Sequence, residues 1–334
     1  VIYDLDMNFL HDGLPKKQLK TEKFDCAIEK VNFHEPSDQK EIFLKMISSH
    51  NLCSFEFIST QYDHEVQGNS ITKPLQGRGK VNSNVTVIRP LLDSWKGVVL
   101  SQGLYPSYSD VDTYRMAACS IDTAIRNCIS AGGSLDHLAI LDNFCWCDSN
   151  NAHRLWQLKN AAKACYDYAV AYGTPFISGK DSMFNDFKGY DENFNKVEIS
   201  IPPTLLISSI GVVNDIRKAQ TIDFKFAGDL IYLIGITSDE TGCSQYNALM
   251  GNLIKGKAFT GENVPEVDAL LFKKIYYATE KAISDELISS SISLEKGGLA
   301  IALAKSAIAG IIGCEIRLKD VHTKNVLRND IILY

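Results

Sequence analysis

Two neighbouring segments constrain the fold of this chain more than any other part of the sequence. Residues 138–146 form an apolar run that carries Asp142 and Asn143, and residues 173–182 form a second apolar run that ends in Ser-Gly-Lys-Asp-Ser. Each segment joins a strand-like stretch to a polar tip. A sheet presents side-chain oxygens and backbone N–H groups to a small anionic ligand in this way. The two segments therefore predict a ligand site at the edge of a sheet.

Composition narrows the class of protein. The 334 residues are enough for about two domains, and 45% hydrophobic with 22% charged residues is typical of a folded protein. A net charge of −6 gives no overall attraction to nucleic acid or anionic membranes. No apolar run reaches the ~18 residues of a membrane-spanning helix. We therefore expect neither a nucleic-acid partner nor a membrane partner.

The cysteines and the first residue add two further expectations. The nine cysteines are scattered and lack a CxxC pair, which favours free thiols in a reducing cytoplasm over disulfides or a zinc site. The chain begins with Val1 rather than Met, and no signal-peptide pattern follows. We expect a cytoplasmic protein and a piece of a longer polypeptide.

Hydrophobic periodicity predicts a charged linker or extended arm over residues 1–40 and a first domain over residues 41–215. Two helices are predicted there, at 112–129 and 153–172. The first has one apolar stripe, formed by Ala117, Ile121, Ala124 and Cys128. The predicted strands of this domain cover residues 85–89, 97–101, 138–142 and 204–213.

A second domain, truncated at its end, is predicted over residues 216–334. Its predicted helices cover residues 267–283 and 299–309, with a Gly297-Gly298 turn before the second helix. Its predicted strands cover residues 229–235, 314–318 and 331–334. Because several strand pairs follow one another without an intervening helix, the fold class is α+β with a mixed sheet.

Three clusters have side chains suited to binding. Asp112, Thr123 and Asn127 project to one side of the first helix, where they form either a cation-binding ridge or a solvated face. The Gly179-Lys180 pair departs from the Walker A spacing, yet it suits either a phosphate site or a surface turn. Residues 62–68 place Asp63 and His64 beside Glu65, as in an acid–base site or a charged loop.

Taken together, ten segments in order resemble phosphoribosylformylglycinamidine synthase, an ATP-dependent ligase of purine biosynthesis. They cover residues 4–13, 62–68 with 73–75, 96–101, 112–118, 121–127, 141–146, 173–182, 203–208, 228–232 and 297–300. The resemblance implies the second of two aminoimidazole-ribonucleotide-synthase-like halves, with an N-terminal mixed-sheet domain and a partial C-terminal α/β domain. The enzymes of this family convert formylglycinamide ribonucleotide, ATP and glutamine to the formylglycinamidine ribonucleotide.

The resemblance also implies the roles of individual residues. It places no catalytic residue in this chain, since the catalytic histidine, the active-site magnesium ligands and the glutaminase cysteine belong elsewhere in the enzyme. Its partners are the first half of the same polypeptide and a glutaminase domain or subunit. The implied substrate-binding residues are Ser101, Gln102, Gly103, Asp142, Asn143, Ser178, Gly179, Lys180 and Asp181. The implied nucleotide-binding residues are Asp63, His64, Gln67, Lys73 and Asn127.

Large members of the family have an auxiliary magnesium–nucleotide site, which this sequence matches only in part. Asp112 and Asn127 stand at ligand positions, whereas Thr123 and Ser293 replace carboxylates. Because hard cations need that charge, we expect ADP or ATP with Mg²⁺ to bind weakly here or not at all. One alternative function is a structural or regulatory module with this degenerate site. Another is a selenophosphate synthetase or thiamine-phosphate kinase of the same fold.

Overall fold

A computed structural model describes residues 1–11, 13, 18–23, 28, 30–62 and 65–334. The helices in these ranges are α1 Met7–His11, α2 Gln39–Ile47, α3 Glu56–Ser59, α4 Thr113–Ser130, α5 Ala152–Tyr172, α6 Gln245–Lys255, α7 Ala269–Ser284, α8 Gly298–Gly310 and α9 Asn329–Leu333. The strands are β1 Ser70–Thr72, β2 Leu75–Gln76, β3 Val81–Asn82, β4 Val85–Ile88, β5 Gly97–Leu104, β6 Leu138–Cys145, β7 Phe176–Ser182, β8 Phe187–Tyr190, β9 Lys196–Ile199 and β10 Thr204–Val213.

A mixed sheet forms the centre of the described structure, with the strand order β1-β4-β5-β10-β6-β7. The pairs from β1 to β6 are antiparallel, and β6 pairs with β7 in parallel. A parallel pair needs a crossover connection, which α5 supplies between β6 and β7. The α+β class and the mixed sheet predicted from the sequence are confirmed.

The two helices beside the sheet begin and end where the sequence provides caps. Asp112 accepts hydrogen bonds from the first backbone N–H groups of α4, and Asn151 does the same for α5. Gly173 ends α5 in the left-handed conformation, at φ 79°. The predicted stripe of α4, from Ala117 to Cys128, is buried against the sheet. The ends of α4 and α5 were predicted from these capping residues, and the caps form in the structure.

Two hydrophobic cores run across the predicted domain boundary at residue 215. The larger core joins the sheet to α4 and α5, and α7 from the C-terminal region adds Ala269 and Tyr276 to it. The smaller core brings Ile42 and Met46 of α2 together with helices α6 and α8. Each core therefore contains residues from both sides of the boundary. The three-part division of the chain stays a proposal.

Three predicted strands of the C-terminal region are not strands in the structure. Residues 229–235 and 314–317 are irregular and lack a ladder partner within the described ranges, and the nearby bridge joins Thr237 to Thr323. Residues 331–334 fall largely in α9 instead. There Asp330 is buried and accepts hydrogen bonds from Tyr246 and Arg328, which favours a helical turn. A β-branched run needs a partner strand, which local sequence cannot supply.

The N-terminal arm remains at the surface over most of its described length. The described residues of 1–23 are exposed, whereas Val31 and Phe33 pack against the smaller core. Within the described residues, no helix is both long enough and apolar enough to cross a membrane.

Candidate functional site

The sheet register aligns three of the predicted substrate-binding segments. Ile207 of β10 pairs with Gly103 on one side and with Asp142 on the other, and Asp142 in turn pairs with Gly179. One row across four strands therefore contains a residue from each segment. At about 4.8 Å per strand the row spans roughly 14 Å.

The first of these segments, residues 101–103, contributes mainly backbone groups to the row. The Ser101 hydroxyl points towards α4, where it donates to the Ala124 carbonyl at 2.5 Å and meets the Ser209 hydroxyl at 2.9 Å. Gly103 is buried against the Ser120 carbonyl of α4. Of the three predicted residues here, Gln102 is the exposed one. Ser101 and Gly103 thus fix the strand on the helix, and only Gln102 offers an accessible side chain.

Asp142 is the half-buried carboxylate of the row. Burial raises the pKa of Asp142 above its usual value, and the negative charge of Asp181 raises it further. An acid in this environment binds a proton, or an N–H or cationic group, more readily than an exposed aspartate does. Gly179 of the edge strand β7 has no side chain, and the Asp142 carboxylate occupies the space beside it.

The residues one position further along β6 and β7 direct their side chains to the opposite face of the sheet from Asp142. Asn143 pairs with Lys180, and neighbouring residues of one strand face opposite sides. Lys180 and Ser178 are exposed, and the Lys180 ammonium donates to the Ser182 hydroxyl. Here an amide, a hydroxyl and a cation are available to one anionic ligand. The predicted loop is therefore a strand edge with site chemistry rather than a tight phosphate turn.

The predicted nucleotide-binding residues are dispersed. Gln67 and Lys73 are exposed near β1, at the opposite edge of the sheet from β7, and Lys73 forms an ion pair of 2.5 Å with Glu65. Asn127 is buried in α4. Asp63 and His64 lie outside the described residues. The structure does not bring Asn127 together with Gln67 and Lys73 in one surface.

The predicted metal ligands fall into two separate places. Asp112 is the N-cap of α4, whereas Asn127 lies near the other end of that helix. Their side chains share an angular direction, but a rise of 1.5 Å per residue separates them by roughly 22 Å. One ion cannot contact both. Thr123, Asn127 and Ser293 do lie in one neighbourhood, and no group of three His, Cys, Asp or Glu residues suited to a metal occurs in the described part of the chain.

Sequence reasoning missed the ion pair at the centre of that neighbourhood. The Arg126 guanidinium donates to the buried Asp122 carboxylate at 2.5 Å and to the Ser293 hydroxyl at 2.8 Å. Asp122 also accepts the Tyr172 hydroxyl proton at 2.6 Å. The spacing of i,i+4 between acid and base in a largely buried helix was the available signal. It predicts a pair, but not that the pair crosslinks other elements.

Two cavities lie outside the aligned row. One of about 270 Å³ opens beyond the ends of β6 and β7, and it is lined by Asp148, Asn151, Arg154, Asp186, Glu198 and Ser200. Ligand pockets for small molecules are usually about 300–1,000 Å³. The second has about 10 Å³ and lies between α4 and residues 291–293. Neither encloses the row from Gly103 to Gly179, in which Gly103 and Ile207 are buried.

Comparison with known proteins shows which enzyme the chain is similar to. No family model matches the chain. The chain is 31% identical over its whole length to the phosphoribosylformylglycinamidine synthase subunit PurL of Methanocaldococcus jannaschii, of which it spans 43%. It is 32% identical over 90% of its length to PurL of Alkaliphilus metalliredigens, of which it spans 37%. The chain is homologous to part of PurL.

The fold agrees with this relationship. T. maritima PurL complexed with FGAR superposes on 90% of the chain with a TM-score of 0.61 and 16% sequence identity, over 44% of the PurL chain. At that identity the likeness concerns the fold alone. The chain spans about two fifths of the PurL relatives that it matches. The resemblance deduced from ten short segments is thus confirmed by the whole-length similarity to PurL.

Proposed function

We propose that this chain forms the substrate-contacting and scaffolding part of an ATP-dependent, amidine-forming ligase of purine biosynthesis. In that reaction, formylglycinamide ribonucleotide, ATP and glutamine give formylglycinamidine ribonucleotide. The observation that carries the proposal is the whole-length identity of 31% to PurL. The register that aligns Gly103, Asp142 and Gly179 supports it, because those segments are the ones that the resemblance assigns to substrate.

Four polar side chains of the three segments have a chemical role in this proposal. The Lys180 ammonium supplies a point charge for the substrate phosphate, and Asn143 beside it supplies an amide. Gln102 extends the polar surface towards β5. Asp142, whose pKa is raised by burial, accepts a hydrogen bond from a substrate hydroxyl or amide. The substrate then contacts both faces of the strands at the β7 edge, with Lys180 and Asn143 on one face and Asp142 on the other.

The magnesium ion and the reacting nucleotide are assigned to other parts of the enzyme. Within the described residues, no cluster of His, Cys, Asp and Glu has the arrangement of a metal site. Asn127 directs its amide nitrogen, rather than its oxygen, at Glu295. The residues present therefore do not fit the ion, and we assign it no step in this chain.

The exposed polar side chains on the free face of the sheet require a second wall. We assign that wall to the first synthase-like half of the enzyme and the supply of ammonia to a glutaminase, in the cytoplasm. The half-exposed apolar residues on the free face of the sheet, which include Leu100 at 40% exposure, give such a partner a surface to cover. The chemistry then takes place between this sheet and its partner.

Lys180→Ala in the complete enzyme tests the proposal. Loss of the ammonium should raise the KM for formylglycinamide ribonucleotide about tenfold, with a smaller change in kcat. Lys281→Ala, which removes an exposed lysine of the distant helix α7, is the matched control and should leave KM unchanged. Unchanged kinetics in Lys180→Ala, together with a lower Tm, would favour the structural or regulatory module instead.

A further inference from the structure

Arg126 crosslinks α4 to the segment that precedes α8. Its guanidinium donates to the Ser293 hydroxyl at 2.8 Å and to the Leu294 carbonyl at 2.7 Å. On its own helix it donates to Asp122 at 2.5 Å and to Thr123 at 3.3 Å. One side chain thereby satisfies oxygen atoms of two elements that are far apart in sequence.

The charge of Arg126 is balanced inside the protein. Asp122 is 2% exposed and accepts the hydroxyl protons of Tyr172 on α5 and Tyr276 on α7. Burial lowers the pKa of Arg126, but the charge of Asp122 outweighs this and holds the pKa above its usual value. The guanidinium therefore stays charged at every relevant pH. A fixed positive charge sits where α4, α5, α7 and the segment before α8 meet.

Two of the oxygen atoms that a cation would need already accept hydrogen bonds from this charge. Ser293 and Thr123 both accept from Arg126, and the Asn127 amide nitrogen donates to Glu295 at 2.5 Å. Magnesium requires near-octahedral oxygen ligands at about 2.1 Å. It would also be repelled by a guanidinium at contact distance. The Asn127 Oδ1 atom is buried without a hydrogen-bond partner, but one neutral oxygen cannot replace the ligand set that magnesium needs.

The adjoining cavity leaves no room for a nucleotide. It has about 10 Å³, and its lining includes the neutral polar side chains of Gln76, Asn84, Ser130, Gln220, Ser291 and Ser293. A volume of that size holds about one water molecule. Amides and hydroxyls around a water carry no charge to attract Mg²⁺ or to balance phosphate.

We propose that the Arg126 guanidinium is the built-in cation of this region and takes the place of a bound magnesium ion and nucleotide. It holds α4 to the segment before α8 in a way that depends on neither ligand. This role of Arg126 does not depend on which substrate the sheet binds.

The first test compares the Tm of Arg126→Gln with that of Arg217→Gln. Arg217 also pairs with an aspartate, at 2.7 Å, but its side chain is 60% exposed. The Arg126 side chain is 30% exposed and that of its partner Asp122 is 3% exposed. Breaking this pair should lower Tm by roughly 5–10 °C, whereas breaking the exposed pair should change it by about 1 °C. Equal effects of the two substitutions would overturn the proposal.

Arg126→Lys keeps the test decisive if the glutamine variant does not fold. Lysine retains the charge but lacks the planar fork that reaches Asp122, Ser293 and Leu294 together. We expect Arg126→Lys to lower Tm by roughly half as much as Arg126→Gln does. A lysine variant as stable as the unmodified chain would contradict a role for the guanidinium.

The second test asks whether the region responds to a ligand. Tm is measured with ADP and MgCl₂, and with ADP and EDTA, for the unmodified chain and for Ser293→Ala. Because binding at any other site affects both proteins alike, the difference between their magnesium-dependent shifts isolates this region. We expect that difference to be within about 1 °C. A magnesium-dependent rise that Ser293→Ala removes would overturn the proposal.

Discussion

Asp142 lies directly against Gly179 of the neighbouring parallel strand. A Cβ built on Gly179 would come within 2.3 Å of the Asp142 Oδ1 atom. The carboxylate thus occupies the space that a side chain at residue 179 would fill. The glycine is needed for the position of a site carboxylate rather than for an unusual backbone angle.

Gly179→Ala should therefore alter the site without unfolding the chain. The methyl group forces the Asp142 carboxylate to rotate away, and the strand itself is at an exposed edge. In the complete enzyme we expect the KM for formylglycinamide ribonucleotide to rise roughly threefold to tenfold, with Tm within about 2 °C.

Gly313→Ala is the control for this substitution, since nothing lies within 4 Å of the Cβ it would add. It should leave both KM and Tm unchanged. An unaltered KM in Gly179→Ala would mean that Asp142 does not contact the substrate from its observed position.

Local signals in the sequence sufficed for the strands and helices around the sheet. Strands β4, β5, β6 and β10 and helices α4 and α5 lie where periodicity and caps predicted them. In the C-terminal region, residues 229–235 have the same strand-like composition but no ladder partner in the described ranges. Strand formation depends on a partner, and partners are set by distant parts of the chain.

The site was predictable as a set of segments but not as side-chain directions. Ser101 and Gln102 are neighbours in β5, yet the first hydroxyl binds α4 and the second side chain is exposed. An error of one residue in the position of a strand moves every side chain to the opposite face of the sheet. Likewise, an angular projection of α4 placed Asp112 beside Asn127 because it ignores the rise along the axis.

Gly103 should prove to be a structural residue although the resemblance assigns it to substrate. A Cβ at this position would come within 2.1 Å of the Ser120 carbonyl oxygen, which belongs to the backbone of α4 and cannot rotate away. Gly103→Ala should lower the free energy of unfolding by about 1–3 kcal/mol. Urea denaturation followed by circular dichroism measures this loss. Gln102→Ala, next to it but exposed, should cost less than about 0.5 kcal/mol; equal losses would contradict the packing argument.

The carboxylate of Asp142 should destabilise the fold at neutral pH. Burial raises its folded-state pKa, so the protonated form is the one that folding favours. That contribution is fully present below the unfolded pKa of about 3.9 and is lost as pH rises through the folded pKa. Asp142→Asn should therefore raise Tm at pH 7, by an amount that shrinks towards pH 4. Asp93 is exposed, so Asp93→Asn is the control. It measures the general effect on Tm of removing one negative charge from a chain of net charge −6. A larger gain at pH 4 than at pH 7 would contradict the assigned direction.

The free face of the sheet should make the isolated chain self-associate. Helices α4 and α5 pack on one face, while Leu206 and Ile210 of β10 are only half-buried on the other and Leu100 beside them is 40% exposed. An apolar sheet face of this kind is covered in stable proteins by another layer. In sedimentation velocity we expect the chain to form dimers or larger species at tens of micromolar, and Leu100→Glu to shift it to monomer, because a charge buried in the contact is costly. Leu253→Glu, at 47% exposure on α6, is the control and should not change the distribution. A chain that is already monomeric, or an equal effect of both substitutions, would show that this face is not the contact.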